Sequence, residues 1–212
     1  MGLIASAKGS IEPVPEGMHH AVCQSVIDLG HHNNEKFNKL EHKIILIWEL
    51  PDLRLELANE DGSTRDVPKI QSKEYTLSLH EKAHLRKHLQ SWRAKAFTEE
   101  ELNGFDIKNL LEVNCYLQII HNKTTDATYA NIETITPLPK GMERKSPENP
   151  AVFFSFAEFN PGDELPAMPE WIMNKLKKSN EWFDMSNPGG NEEGETMKID
   201  MTNNNDDDEI PF

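Results

Sequence analysis

The run Lys43-Ile44-Ile45-Leu46-Ile47-Trp48-Glu49-Leu50, followed by Pro51, constrains the fold more than any other stretch. It is short, β-branched and almost continuously apolar, and the proline after it cannot donate to a ladder. That is the pattern of a strand buried on at least one face. Shorter runs flank it. Residues 17–29, centred on His20-Ala21-Val22-Cys23-Gln24-Ser25-Val26-Ile27, read as a first strand, and residues 30–41 as a loop holding His31, His32, Asn33, Asn34, Lys36, Phe37 and Lys39. A polar turn over 59–65, with Asp61-Gly62, precedes a third strand over about 69–79, where Tyr75, Leu77 and Leu79 alternate with Thr76 and Ser78.

The period then changes. Residues 81–93 place Leu85, Leu89 and Trp92 on one helical stripe. Thr98-Glu99-Glu100-Glu101 opens a short helix with an N-cap and acids in its first turn, ending near Gly104. Alternation returns at Val113, Cys115, Leu117 and Ile119, which should face the core, while Asn114, Tyr116 and Gln118 face out. A last strand covers 129–136, closed by Pro137 and Pro139. Three strands, a helix and two strands in about 125 residues is the order of an OB-fold, a five-stranded, partly open barrel. Another small barrel, or an α+β sheet with one helix, has the same order.

The division expected is an extended lead-in over 1–16, the barrel over 17–140, a linker and helical extension over 141–185, and a disordered acidic tail over 186–212. Gly141 to Pro150 reads as linker. Val152-Phe153-Phe154-Ser155-Phe156 needs burial, on the barrel or across a homodimer. Pro169 starts a helical segment in which Ile172, Leu176 and Phe183 share a face, with Trp171 and Trp182 near its ends.

Charge is unevenly spread. Residues 186–212 hold eight acids and one lysine, so the tail carries −7 of the net −14 and the preceding 185 residues the other −7. A nucleic-acid binder usually shows a basic footprint, so a strand-binding surface here must be a local patch on an acidic body. Cys23 and Cys115 lie far apart with no CxxC pair, which points to buried thiols in a reducing, cytoplasmic compartment. They fall in the first and fourth predicted strands, neighbours in an OB barrel. No apolar stretch approaches a membrane span, and residues 3–7 are too short for the core of a secretory leader, so neither is expected.

The chain ends Asp206-Asp207-Asp208-Glu209-Ile210-Pro211-Phe212. Four acids followed by an apolar residue, a proline and a phenylalanine suit insertion into a partner, with Ile210 and Phe212 in an apolar pocket and basic residues holding the carboxylates. A solvated acidic run without a partner is the plainer reading. This ending resembles the C-terminal tip of bacterial single-stranded DNA-binding proteins, an Asp-rich run closed by Ile-Pro-Phe, with Glu209 as an extra acid. The resemblance implies an OB-fold body and a tip that recruits replication, recombination and repair enzymes. Tyr75 to Arg93, Tyr116 to His121, Tyr129 to Lys140 and Pro169 to Glu181 also look like pieces of the strand-binding proteins of tailed phages and prophages. That implies a virus-encoded protein working in the cytoplasm of a bacterial host.

Sequence-tolerant strand binding needs aromatic faces for stacking and cations along the phosphates. The candidates are Lys36, Phe37 and Lys39 in the first loop, Lys123 and Tyr129 around the last, and Lys43, Trp48, Lys69, Lys73 and Tyr75 on the strands. Trp48 sits in a nearly continuous apolar run and Tyr75 is in phase with Leu77 and Leu79, so both fit the core better; Phe37 is the best stacking candidate. The tail should compete with DNA for this surface, so removing residues 203–212 should tighten DNA binding.

His80-Glu81-Lys82-Ala83-His84 satisfies H-E-x-x-H, with His88 one turn on. It straddles a strand-to-helix junction, and the Leu85-Leu89-Trp92 stripe already explains the helix, so a zinc hydrolase is the weaker reading. No glycine-rich nucleotide motif occurs and no cofactor is expected. The expected function is non-catalytic single-stranded DNA binding. A barrel that binds protein instead of DNA is the rival, favoured by the acidic body.

Overall fold

The computed structural model describes residues 12–59, 61–160 and 162–187. It is mostly β. Strands β1 (Gly17–Asn34), β2 (Lys39–Ala58), β3 (Thr64–Thr76), β4 (Asn114–Lys123), β5 (Thr128–Pro137) and β6 (Val152–Phe154) form one sheet in the order β3-β2-β1-β4-β5, with β6 also on β1. All ladders are antiparallel except β6 on β1. Helices α1 (His84–Arg93) and α2 (Glu99–Asn103) and a 3-10 turn (Ile107–Leu110) connect β3 to β4, and α3 (Glu170–Leu176) and α4 (Asn180–Ser186) follow β6. None of these helices is long and apolar enough to cross a membrane.

β1 sets the shape, because its register slips twice. Cys23 faces Trp48 but Ser25 faces Ile47, so Gln24 is an extra residue; Leu29 is another, between the Asp28–Ile44 and Gly30–Lys43 pairs. A bulge reverses the side-chain phase and bends the strand. Ala21 and Cys23 point into the main core before the first bulge, and Val26 after it. Ile27 and Leu29 consequently face the opposite side of the sheet.

The main core gathers Ala21, Cys23 and Val26 with Ile44, Leu46, Trp48 and Leu50 of β2, Tyr75 of β3, Cys115, Leu117 and Ile119 of β4, and Ile132 and Ile135 of β5. α1 closes it with the expected stripe, as Leu85, Leu89 and Trp92 are all buried. No ladder joins β3 to β5 among the described residues. Two β3 side chains nonetheless reach across, Gln71 Nε2 donating to the Ala130 carbonyl (2.9 Å) and Lys73 Nζ to that of Ile132 (2.6 Å). The ends of the strand path are thereby brought together around the shared core.

Several local expectations need correction. The loop after the first strand shrinks to a tight turn over 35–38, since β1 runs on to Asn34 and β2 starts at Lys39. Pro51 does not end β2. The strand continues to Ala58 because Pro51, Asp52 and Leu53 bulge out between the Leu50–Lys69 and Arg54–Pro68 pairs, where no ladder N–H is needed. The third strand begins earlier, at Thr64, and ends at Thr76. The expected capping box of α2 is present, Thr98 Oγ1 accepting from Glu101 N (3.2 Å) and Glu101 Oε2 from Thr98 N (3.0 Å).

The supposed linker over 141–150 is tied to the sheet. The buried Glu49 carboxylate accepts from the backbone N–H of Glu148 (2.7 Å) and Asn149 (2.9 Å) and from Asn149 Nδ2 (2.6 Å). β6 then takes the stretch of the β1 edge beyond the end of β4, Val152 to Phe154 pairing with Ser25 to Ile27. Phe154, Ile172 and Leu176 pack with Ile27, Leu29, Ile45 and Ile47 in a second core on the outer face. The single helix expected from Pro169 is two, because Ser179 caps a new helix by accepting from Trp182 N (3.2 Å). Phe183 therefore leaves the Ile172–Leu176 face and is 66% exposed.

Candidate nucleic-acid interface

The ten residues expected to hold a strand separate into three groups. Trp48 and Tyr75 lie in the core, 0% and 4% exposed, and present no ring face to a base. Trp48 packs against Trp92 at a centroid distance of 5.8 Å. Tyr75 donates its hydroxyl to His88 Nδ1 (2.8 Å), and His88 Nε2 donates to the Glu133 carbonyl (3.2 Å). Lys73 is turned inward beside them. Its ammonium sits half-buried on the Ile132 carbonyl, and loss of hydration there lowers its pKa. It fastens β3 to β5.

The second group surrounds the β1–β2 turn. Phe37 is 57% exposed, with Lys36 Nζ 5.1 Å from its ring centroid. Lys39 opens β2 opposite Asn34. Lys43 is largely matched inside the sheet, 2.5 Å from Glu41 Oε2 and donating to Thr76 Oγ1 (3.1 Å). A cleft of about 470 Å³ beside the turn adds Lys175 and Lys178 from the extension, together with Glu35, Glu41 and Glu74.

The third group lies where β3 meets β5. Tyr129 is 55% exposed at the start of β5, Lys123 ends β4 opposite Thr128, and Lys69 Nζ donates to the Glu12 carbonyl (3.1 Å). Tyr129 and Lys69 line a groove of about 910 Å³ with Leu55, Leu57, Arg65 and Ile70. The last four were not among the sequence candidates. The alternation Leu53-Leu55-Leu57 carries the signal, but it lies beyond Pro51.

Between the two exposed groups β3 runs from Thr76, opposite Lys43, to Ile70, opposite Glu49. Six residue-to-residue steps of strand span about 20 Å. The neighbouring outer face of β1 and β2 is occupied: Ile45 and Ile47 are buried with Ile172 and Leu176, and Lys175 Nζ lies 2.7 Å from Glu74 Oε2. A set of histidines and carboxylates fixes the far end of the extension. Asp28 Oδ1 accepts from His42 Nε2 (2.7 Å) and Gly30 N (2.9 Å), and Asp28 Oδ2 from Phe156 N (3.2 Å). Glu181 accepts from His31 N (2.7 Å) and pairs with the His31 ring, which stacks on His42 at 4.4 Å. The Asp28 carboxyl titrates below its ordinary value, since the hydrogen bonds from His42 and the backbone outweigh burial. His42 titrates above its own value, held up first by its hydrogen bond to Asp28.

His80 and Glu81 lie in the turn before α1 and His84 is its first residue, so the H-E-x-x-H residues do not share a helical face. His88 spends both ring nitrogens on Tyr75 and Glu133. Among the described residues no three His, Cys, Asp or Glu side chains are grouped to hold a metal ion. Cys23 and Cys115 are both buried free thiols, on neighbouring strands, and burial pushes both thiols up. The tip over 206–212 lies outside the described residues. Protein-family models give no match to this chain, and neither do curated proteins.

Proposed function

We propose that the chain is a non-catalytic single-stranded DNA-binding protein, with an OB-type body for unpaired strands and an acidic tip, 206–212, for enzymes of replication, recombination and repair. One observation carries the reading. The strand order β3-β2-β1-β4-β5, with a helix between β3 and β4 and with β3 reaching β5 through Gln71 and Lys73, is the order of an unrolled OB barrel. The exposed aromatics Phe37 and Tyr129, each close to lysines, support it as platforms for sequence-tolerant stacking. The tip sequence and the looser likeness to phage strand binders agree with it.

The test is fluorescence anisotropy of labelled oligodeoxythymidine titrated with the full chain across a salt series. Binding should weaken linearly in log–log form, with a slope of about −0.7 for each phosphate neutralised. No binding even in dilute buffer overturns the reading. Phe212→Ala should leave this titration unchanged while abolishing capture of replication enzymes, because it removes the apolar anchor and no body residue.

A protein-binding adaptor is the second reading, favoured by the body's −7 and by the carboxylates that accompany Lys43 and Lys175. A gel shift with unlabelled polydeoxythymidine as competitor separates the two.

A further inference from the structure

Resting on the reading above, we infer that an unpaired strand is turned off the outer face of β1 and β2 and seats its bases in the groove between the β2–β3 hairpin and the start of β5. Tyr129 supplies the stacking ring, Leu55, Leu57 and Ile70 the apolar wall, and Arg65 and Lys69 the charge for phosphates.

Two observations carry this independently. The first is exclusion. On the face that β1 and β2 would offer, Ile27, Leu29, Ile45 and Ile47 are already buried under Phe154, Ile172 and Leu176. A base stacked there would have to expel an intact apolar cluster and break the Lys175–Glu74 pair. The second is the opening beside that cover. At about 910 Å³ the groove lies toward the upper end of the ~300–1,000 Å³ typical of ligand clefts. It holds Tyr129, which is exposed at the start of β5, and residues 166–169 of the extension also line it.

The two cations of the groove meet two acids, one of which is turned away from it. Glu12 and Glu49 line it with Arg65 and Lys69. The Glu49 carboxylate is turned onto the backbone of Glu148 and Asn149, and Glu12 offers its carbonyl to Lys69. Tyr129 and Ile70 are both substantially exposed, so substituting either removes contact surface without opening the core.

Oligodeoxythymidine anisotropy with full-length variants decides it. Tyr129→Ala should weaken binding about 5- to 150-fold, the equivalent of one stacked base at ~1–3 kcal/mol, with an unchanged melting temperature. Arg65→Glu should flatten the salt dependence by about 0.7 in slope or more. Phe37→Ala, at the far turn, should cost less than Tyr129→Ala. If the unmodified chain binds and both groove variants bind equally well, the inference falls while the broader reading stands. Absence of binding by the unmodified chain removes both. If the loss in Tyr129→Ala disappears in a Phe212→Ala background, the groove is a seat for residues 206–212, which also overturns the inference.

Discussion

Gly30 shows how much one residue carries here. It sits at φ +76°, in the left-handed region, immediately after the second bulge of β1. A Cβ placed on it would approach Ser179 Cβ at 2.8 Å and crowd Glu181 and Phe156. Gly30→Ala should therefore destabilise by about 1–3 kcal/mol, combining backbone strain with displacement of the extension, and urea denaturation measures it. His88 makes a second prediction at this scale. Burial, with the positive charge of Lys73 second, lowers its pKa from 6.5 to about 4, although the hydrogen bond to the Glu133 carbonyl opposes this. The unfolded chain takes up the proton near pH 6.5 and the folded chain only near 4, so stability present above 6.5 is lost as pH falls through that interval. His42 acts oppositely, since its raised pKa gives stability that is full below pH 6.5 and lost as pH rises through its folded value. The His88→Gln variant should thus lose less stability than the parent between pH 7.5 and 4.5, as read by urea midpoints at each pH.

At the scale of elements, the strands most legible in the sequence were those with an undisturbed phase. Cys115, Leu117 and Ile119 are buried as expected, while Val113, expected with them, precedes β4 and is 38% exposed; the Leu85-Leu89-Trp92 stripe marks α1. What could not be read locally depends on partners. β1 outlasts its apolar run because β2 pairs with it to Asn34, and β2 survives Pro51 because a three-residue bulge removes the need for that N–H. The groove was hidden for the same reason: Leu55 and Leu57 gain a meaning only once β2 is known to continue. Trp48 is legible as core from its apolar run and Tyr75 from its phase with Leu77 and Leu79, although Leu77 itself lies past the end of β3 and is exposed. The extension is a separate packing unit, and this gives an element-scale prediction. Ile172→Ala should cost about 2–5 kcal/mol, and hydrogen exchange should rise over 152–186 before it rises over β4 and β5, because Ile172 belongs to the outer cluster alone.

At the scale of the whole molecule, two apolar clusters share one sheet, and β1 and β2 contribute to both of them. Strand binding in the groove would load the outer cluster through residues 166–169, so oligodeoxythymidine should slow exchange in the extension as well as around Tyr129. The clasp between Glu181 and His31 has a further outcome for traffic along the molecule. It ties α4 to the last residues of β1. The nineteen residue-to-residue steps from Asn187 to Asp206 cannot stretch beyond about 65 Å. If the tip does recruit an enzyme, the leash holds that enzyme within this radius of α4, close enough for it to meet whatever the body has bound.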